Sequence, residues 1–170
     1  MIRSKYGNEF SRLWIFIIFF FCSSNSLAGG SKDYISFSTA LFDFLQNDVT
    51  SLEARIEYRV NSVKWQLKPF AGLMANTDGG EYIYSGVFYE IPITKFLNLV
   101  PSFAPGLYFK NNSKDLHFVV EFRTQLEAIF VLPNKLRAGV SFNHISNASL
   151  GKSNPGVESI AITFQLPVPW

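Results

Sequence analysis

The chain has 170 residues, with 15 Lys or Arg, 13 Asp or Glu and a single cysteine. That length suits one domain, and a lone cysteine excludes a disulfide scaffold. Charge this evenly balanced, with no basic stripe, excludes a nucleic-acid surface.

The first element is a targeting segment. Arg3, Lys5 and Arg12 precede the apolar run Leu13 to Cys22, and Ser26 and Ala28 follow at the spacing a signal peptidase favours. Residues 1–28 therefore read as a cleaved signal peptide, with a mature domain from residue 29 to 170. The apolar run is short for a membrane-spanning helix. Phe21 stands before Cys22 where lipoprotein processing calls for a small residue. Removing Arg3, Lys5, Arg12 and Glu9 leaves 12 basic and 12 acidic residues and no cysteine, so the mature chain has neither thiol nucleophile nor disulfide.

From there the period is two rather than 3.6, the mark of strands. Eight strands are expected, near residues 33–44, 51–61, 64–75, 81–91, 97–109, 115–131, 135–146 and 157–166. In the second, Leu52, Ala54, Ile56, Tyr58 and Val60 oppose Glu53, Arg55, Glu57 and Arg59. In the sixth, Leu116, Phe118, Val120, Phe122, Thr124, Leu126, Ala128 and Phe130 oppose a face that includes His117, Glu121, Arg123, Gln125 and Glu127. The connections alternate. Tight turns fall around NSV, PITK and LPNK; longer polar loops fall at LQNDVT, NTDGGE, KNNSKD and residues 147–156.

This layout predicts an all-β fold, an eight-stranded antiparallel up-and-down transmembrane β-barrel of the outer membrane. A soluble lipid carrier of lipocalin type would share the alternation with its faces reversed. Charges of both signs on one face favour a cross-linked lumen. Tyr82, Tyr84, Tyr89, Trp65 and Tyr108 are candidates for interfacial girdles, and the chain ends on an alternating strand with a terminal aromatic. Lys110, Lys114 and Lys152 fall on outer loops, where they could meet phosphate groups. His117 is expected in the lumen beside Glu121 and Arg123 as a structural hydrogen-bonding group, and Asp78–Gly79–Gly80 reads as a turn.

The last hairpin carries the chemistry. His144 and Ser146 continue the outward register of Leu136, Ala138, Val140 and Phe142; Glu158 shares the register of Ile160, Ile162, Phe164 and Leu166. Three residues of the kind a serine esterase uses thus project from one side, at the rim where strand seven ends and strand eight begins. A serine hydroxyl needs a base to become a nucleophile, and a histidine base needs a carboxylate to fix its tautomer. Asn147, Asn154 and backbone N–H groups from Ala148 to Gly151 are candidate oxyanion donors. No cluster of His, Cys and carboxylate stands at metal-ligand spacing, so neither metal nor cofactor is expected.

HISNAS followed by NPGVE resembles the signature of the PagL family, the lipid A 3-O-deacylases. His precedes Ser by two residues, Ser precedes Glu by twelve, and Asn directly follows Ser. The specific likeness covers residues 137–164, and the rest agrees in architecture. The resemblance implies hydrolysis of the acyl ester at the 3-position of lipid A, with His144, Ser146 and Glu158 as a membrane-facing triad and Asn154 shaping the site. It implies lipid A (lipopolysaccharide) and the outer membrane as partners, and leaves a homodimer open. Two other functions share these residues: an outer-membrane phospholipase or esterase with the same triad, and a non-enzymatic adhesive or structural barrel.

Overall fold

The computed structural model describes residues 32–168 except 47, 49 and 62–65. The segment read as a signal peptide, the girdle candidate Trp65 and the terminal Trp170 lie outside the described residues.

The strands are β1 (Tyr34–Phe42), β2 (Ser51–Arg59), β3 (Leu67–Asn76), β4 (Glu81–Tyr89), β5 (Ile91–Pro92), β6 (Leu97–Phe109), β7 (Val120–Val131), β8 (Arg137–Ser146) and β9 (Val157–Pro167). Every pairing is antiparallel between neighbours in sequence, β1 pairs β9, and β4 pairs β6 to close the sheet. The two-residue β5 continues the register of β4 against β6 beyond Glu90, so β4 and β5 form one arm. The result is a closed barrel of eight arms, as the alternation predicts. Pro101 and Pro105 sit within β6, where the ring removes ladder donors. Beside Ala104 β4 offers Gly86, where a Cβ would collide with Phe103 O and Ala104 Cα.

The faces decide between the two barrel types. Phe164 is 58% exposed, while its neighbours Thr163 and Gln165 are 1% exposed. The same inversion runs through β2, where Glu53, Arg55, Glu57 and Arg59 are buried and Leu52 and Ile56 are exposed. A lipocalin would hold its apolar face inside. This barrel turns a wide apolar wall outward, the surface a bilayer covers. Among the described residues no helix is long and apolar enough to cross a membrane.

Eight strands leave room for side chains rather than a channel, and buried charges must be paired. Glu57 accepts from Arg59 Nε at 2.7 Å, Arg123 Nη2 at 2.6 Å and Tyr84 OH at 2.9 Å. Arg59 also reaches Glu127 at 2.6 Å; Arg55 binds Glu53 and donates to Gln125 Oε1 at 3.0 Å. Opposite the charges stands an aromatic sector. Tyr82 stacks on Tyr84 at 4.9 Å, and the Arg123 guanidinium lies 4.2 Å from the Tyr84 ring centre.

That sector corrects the girdle expectation for three residues. Tyr82, Tyr84 and Tyr108 are buried in the lumen, where the Tyr82 hydroxyl hydrogen is shared between Ala104 O and Glu121 O, and the other two donate to Glu57 and to Lys114 O. A narrow lumen must be filled, and a phenol fills it while keeping a hydrogen bond. Tyr89, of opposite parity to Tyr82 and Tyr84, does face outward.

Candidate active site

Four loops gather at the end of the barrel where β8 meets β9: 43–50, 77–80, 110–119 and 147–156. The candidate residues stand on the outer wall at that rim. In β8 the inward side chains Ser141, Asn143 and Ile145 are buried, and Val140, Phe142, His144 and Ser146 face out. Glu158 lies on the outward face of β9, directly opposite His144 in the ladder. Their side chains meet, with His144 Nδ1 2.9 Å from Glu158 Oε1. The His144 side chain is 40% exposed and that of Glu158 14%. With Nδ1–H donating to the carboxylate, Nε2 carries the lone pair.

Ser146 follows His144 by two residues on the same face, about 7 Å further along the strand. Among the described hydrogen bonds His144 is joined to Glu158 and not to Ser146. Catalytic hydrogen bonds often tighten only once substrate is bound.

Gly156 lies close against the histidine. It has φ +65°, and a Cβ there would fall 2.6 Å from His144 Cε1 and 3.3 Å from Nε2. Any side chain would push the imidazole aside. Proximity to His144 was not legible in the sequence, though the Pro155–Gly156 pair signals a tight turn.

The loop after Ser146 is a turn of left-handed residues. Ala148 has φ 51° and Ser149 φ 64°, and Leu150 N donates to Asn147 O at 3.0 Å. Side-chain-bearing residues in this region cost roughly 1–3 kcal/mol each and persist where surrounding structure imposes them. Asn147 imposes them here. Its Nδ2 donates to Leu116 O and Ser153 O, both at 2.8 Å, and its backbone N–H donates to Asn154 Oδ1 at 3.0 Å. Both amide hydrogens of Asn147 are thereby committed, so the side chain pins the loop instead of offering an oxyanion donor. Asn154 Nδ2 and the N–H groups of Ala148, Ser149 and Gly151 donate in none of the described hydrogen bonds. Gly151 packs against the 110–119 loop, and a Cβ there would meet Asn147 Nδ2 at 3.0 Å and His117 O at 3.1 Å.

Two further expectations are corrected. His117 is not in the lumen. β7 begins at Val120, and His117 sits in the preceding loop with φ 62° and its side chain 47% exposed beside Asp115. Asp115 itself, hydrogen-bonded by Lys110 and by the His117 N–H, is held below the usual carboxylate range. Lys114 is buried and pairs with Asp43 at 2.7 Å, which removes it from the set that could meet a phosphate; Lys110 and Lys152 remain exposed.

Gln46 was missed entirely. It lies in the loop after β1, and its Nε2 donates to Pro155 O at 3.2 Å and to Glu158 Oε2 at 3.4 Å. Nothing in the local pattern signals this, because the contact exists only once β1 closes the barrel against β9.

An outward apolar wall around a closed antiparallel sheet defines the class: an eight-stranded β-barrel of the outer membrane. Within that class the chain belongs to the lipid A 3-O-deacylase (PagL) family, whose model matches residues 29–167. The crystal structure of the outer membrane enzyme PagL superposes with a TM-score of 0.66 at 17% identity, covering 79% of this chain and 99% of that one. A de novo designed transmembrane β-barrel gives 0.61 at 10% identity, covering 83% and 98%. Neisserial surface protein A gives 0.57 at 9% identity, covering 83% and 100%. At these identities the structural likeness is one of fold. No curated protein sequence matches the chain.

Proposed function

We propose that this member of the lipid A 3-O-deacylase family hydrolyses the 3-linked acyl ester from the outer leaflet, using Ser146 as nucleophile, His144 as base and Glu158 as orienting carboxylate. The observation that carries the reading is the 2.9 Å contact of His144 Nδ1 with Glu158, on the outward face that also bears Ser146.

With Glu158 holding Nδ1–H, His144 Nε2 takes the Ser146 proton as Oγ attacks the ester carbonyl. Ser146 is only half-buried, so its hydroxyl can rotate toward the ring. The tetrahedral oxyanion is met by the uncommitted donors beside it, Asn154 Nδ2 and the N–H groups of Ala148 and Gly151. Collapse breaks the bond to the 3-oxygen of the sugar, which leaves with the proton from His144. Water, activated by the same histidine, then releases the fatty acid and restores Ser146. Because the site lies on the outer wall, the acyl chain reaches it without leaving the membrane, and the sugar rests at head-group height. A carboxylate at that height costs roughly 0–1 kcal/mol. Lys110 and Lys152 supply exposed positive charge for the substrate phosphates.

The test is mass spectrometry of lipid A from Gram-negative cells with and without the protein. Loss of one 3-linked acyl chain is expected. Unchanged lipid A together with accumulating lysophospholipid would replace this reading with the phospholipase one.

A further inference from the structure

Glu158 has two oxygens, and the His144 contact uses one. The other, Oε2, accepts from Gln46 Nε2. The orientation of that amide is fixed chemically. Lys114 Nζ lies 2.6 Å from Gln46 Oε1, and an ammonium can only donate. The amide oxygen must therefore face Lys114, and the NH2 must face Glu158. Its two hydrogens have two acceptors, Glu158 Oε2 and Pro155 O.

Lys114 is itself anchored. Its side chain is 6% exposed and pairs with Asp43, whose side chain is fully buried. Asp43 Oδ2 accepts from Asp48 N at 3.0 Å, and Tyr108 OH donates to Lys114 O at 3.0 Å. Two residues on from Asp43's neighbour Phe42, the backbone also grips β9, with Phe44 N donating to Glu158 O at 3.3 Å. A buried ion pair between two loops thus ends, through one amide, on the free oxygen of the candidate triad carboxylate.

We propose that Gln46 is a positioning residue for Glu158, held in place by the buried Lys114–Asp43 pair. The proposal rests on the reading of Glu158 as the orienting carboxylate. By clamping Oε2, Gln46 fixes the carboxylate plane so that Oε1 meets Nδ1 of His144. It touches neither the nucleophile nor the ester carbon, so its influence passes through Glu158 alone.

The experiment measures kcat and KM for lipid A deacylation by purified protein in detergent, for Gln46→Ala, Gln46→Glu, Glu158→Ala, Gln46→Ala with Glu158→Ala, and Ser146→Ala, each checked for the heat-modifiable gel shift of a folded barrel. Gln46→Ala should lower kcat on the order of tenfold with little change in KM, as for residues coupled in one hydrogen-bond network. In the Glu158→Ala background the same change should cost nothing more. Gln46→Glu keeps an acceptor for Lys114 but sets a second carboxylate against Glu158, so it should lose as much as Gln46→Ala. Equal losses from Gln46→Ala in both backgrounds, or full activity of Gln46→Glu, would overturn the proposal while leaving the triad in place. Activity in Ser146→Ala would overturn the triad and the proposal together.

Discussion

Glu57 in the lumen and Glu158 at the rim are both strand carboxylates bridged to other strands. Glu57 is 2% exposed and receives Arg59, Arg123 and Tyr84, with no open side left. Glu158 receives one histidine and one amide at the barrel rim, and the histidine side chain is 40% exposed. Both oxygens of Glu57 are satisfied, and the cluster ties β2 to β4 and β7 across the lumen. The rim groups are partly exposed, and among the described hydrogen bonds His144 Nε2 and the N–H groups of Ala148, Ser149 and Gly151 take part in none. On the proposed reading, the closed set around Glu57 is structural and the open set around Glu158 is chemical.

If that division is right, rim and lumen substitutions should fail in different assays. His144→Ala should lower deacylation by at least about a thousandfold, since the base is removed, while the gel shift of the folded barrel persists. Glu158→Ala should lose less, because nucleophile and base remain. A loss of folding in His144→Ala would erase the distinction.

Arg123→Ala should do the reverse. It leaves Glu57 short of a partner and empties the face of Tyr84, and breaking a buried pair in this way costs about 3–5 kcal/mol. The urea midpoint should fall strongly, and activity per folded molecule should stay near wild type.

Gly156→Ala sharpens the comparison at a single position. The added methyl collides with His144 at 2.6 Å, at a φ unfavourable for alanine. Displacing a catalytic group by about 1 Å can cost about a hundredfold in rate. Kinetics should show a kcat loss of this order with a modest stability loss.

The smallest effect is expected at the opposite end of the barrel. Glu90 pairs with Lys68 at 2.9 Å and Arg137 at 2.5 Å. Burial pushes its carboxyl up, but Arg137 and Lys68 outweigh burial and hold it below the ordinary value of 4.5. A carboxyl depressed in the folded state stabilises above its unfolded pKa, and that stability is lost as pH falls through the folded value. Glu90→Gln should therefore lower stability by about 1 kcal/mol at neutral pH. The gap to wild type in urea midpoint should close as pH is stepped down below 4.5. A gap independent of pH would mean that the ion pair is not its source.

Alternation made most of this legible. The parity of β2, β7, β8 and β9 assigned the charged lumen and set His144, Ser146 and Glu158 on one outward face, because a period of two is a local property. Alternation does not say where a strand begins, and His117 shows the consequence. Alternation alone carries the sixth strand back to residue 115, but a positive φ at His117 ends the pleat and β7 starts at Val120. Residue character misled where parity was not applied. Tyr82 and Tyr84 cannot share a face with Tyr89, yet aromatic character alone groups all three as girdle candidates. Lys114 looked like a surface cation, and its burial depends on Asp43, which is distant in sequence. Gln46 was invisible for the same reason: its partners come from Pro155 and Glu158 across the barrel seam.

The central claim is that a lipid-facing serine performs the hydrolysis. Ser141 and Ser146 lie in the same strand on opposite faces, Ser141 buried toward the lumen and Ser146 outward. Mass spectrometry of lipid A from cells expressing each serine-to-alanine variant compares them directly, with folded barrel confirmed on gels. The account predicts unmodified lipid A with Ser146→Ala and 3-O-deacylated lipid A with Ser141→Ala. Deacylation by Ser146→Ala, and its loss in Ser141→Ala, would contradict it.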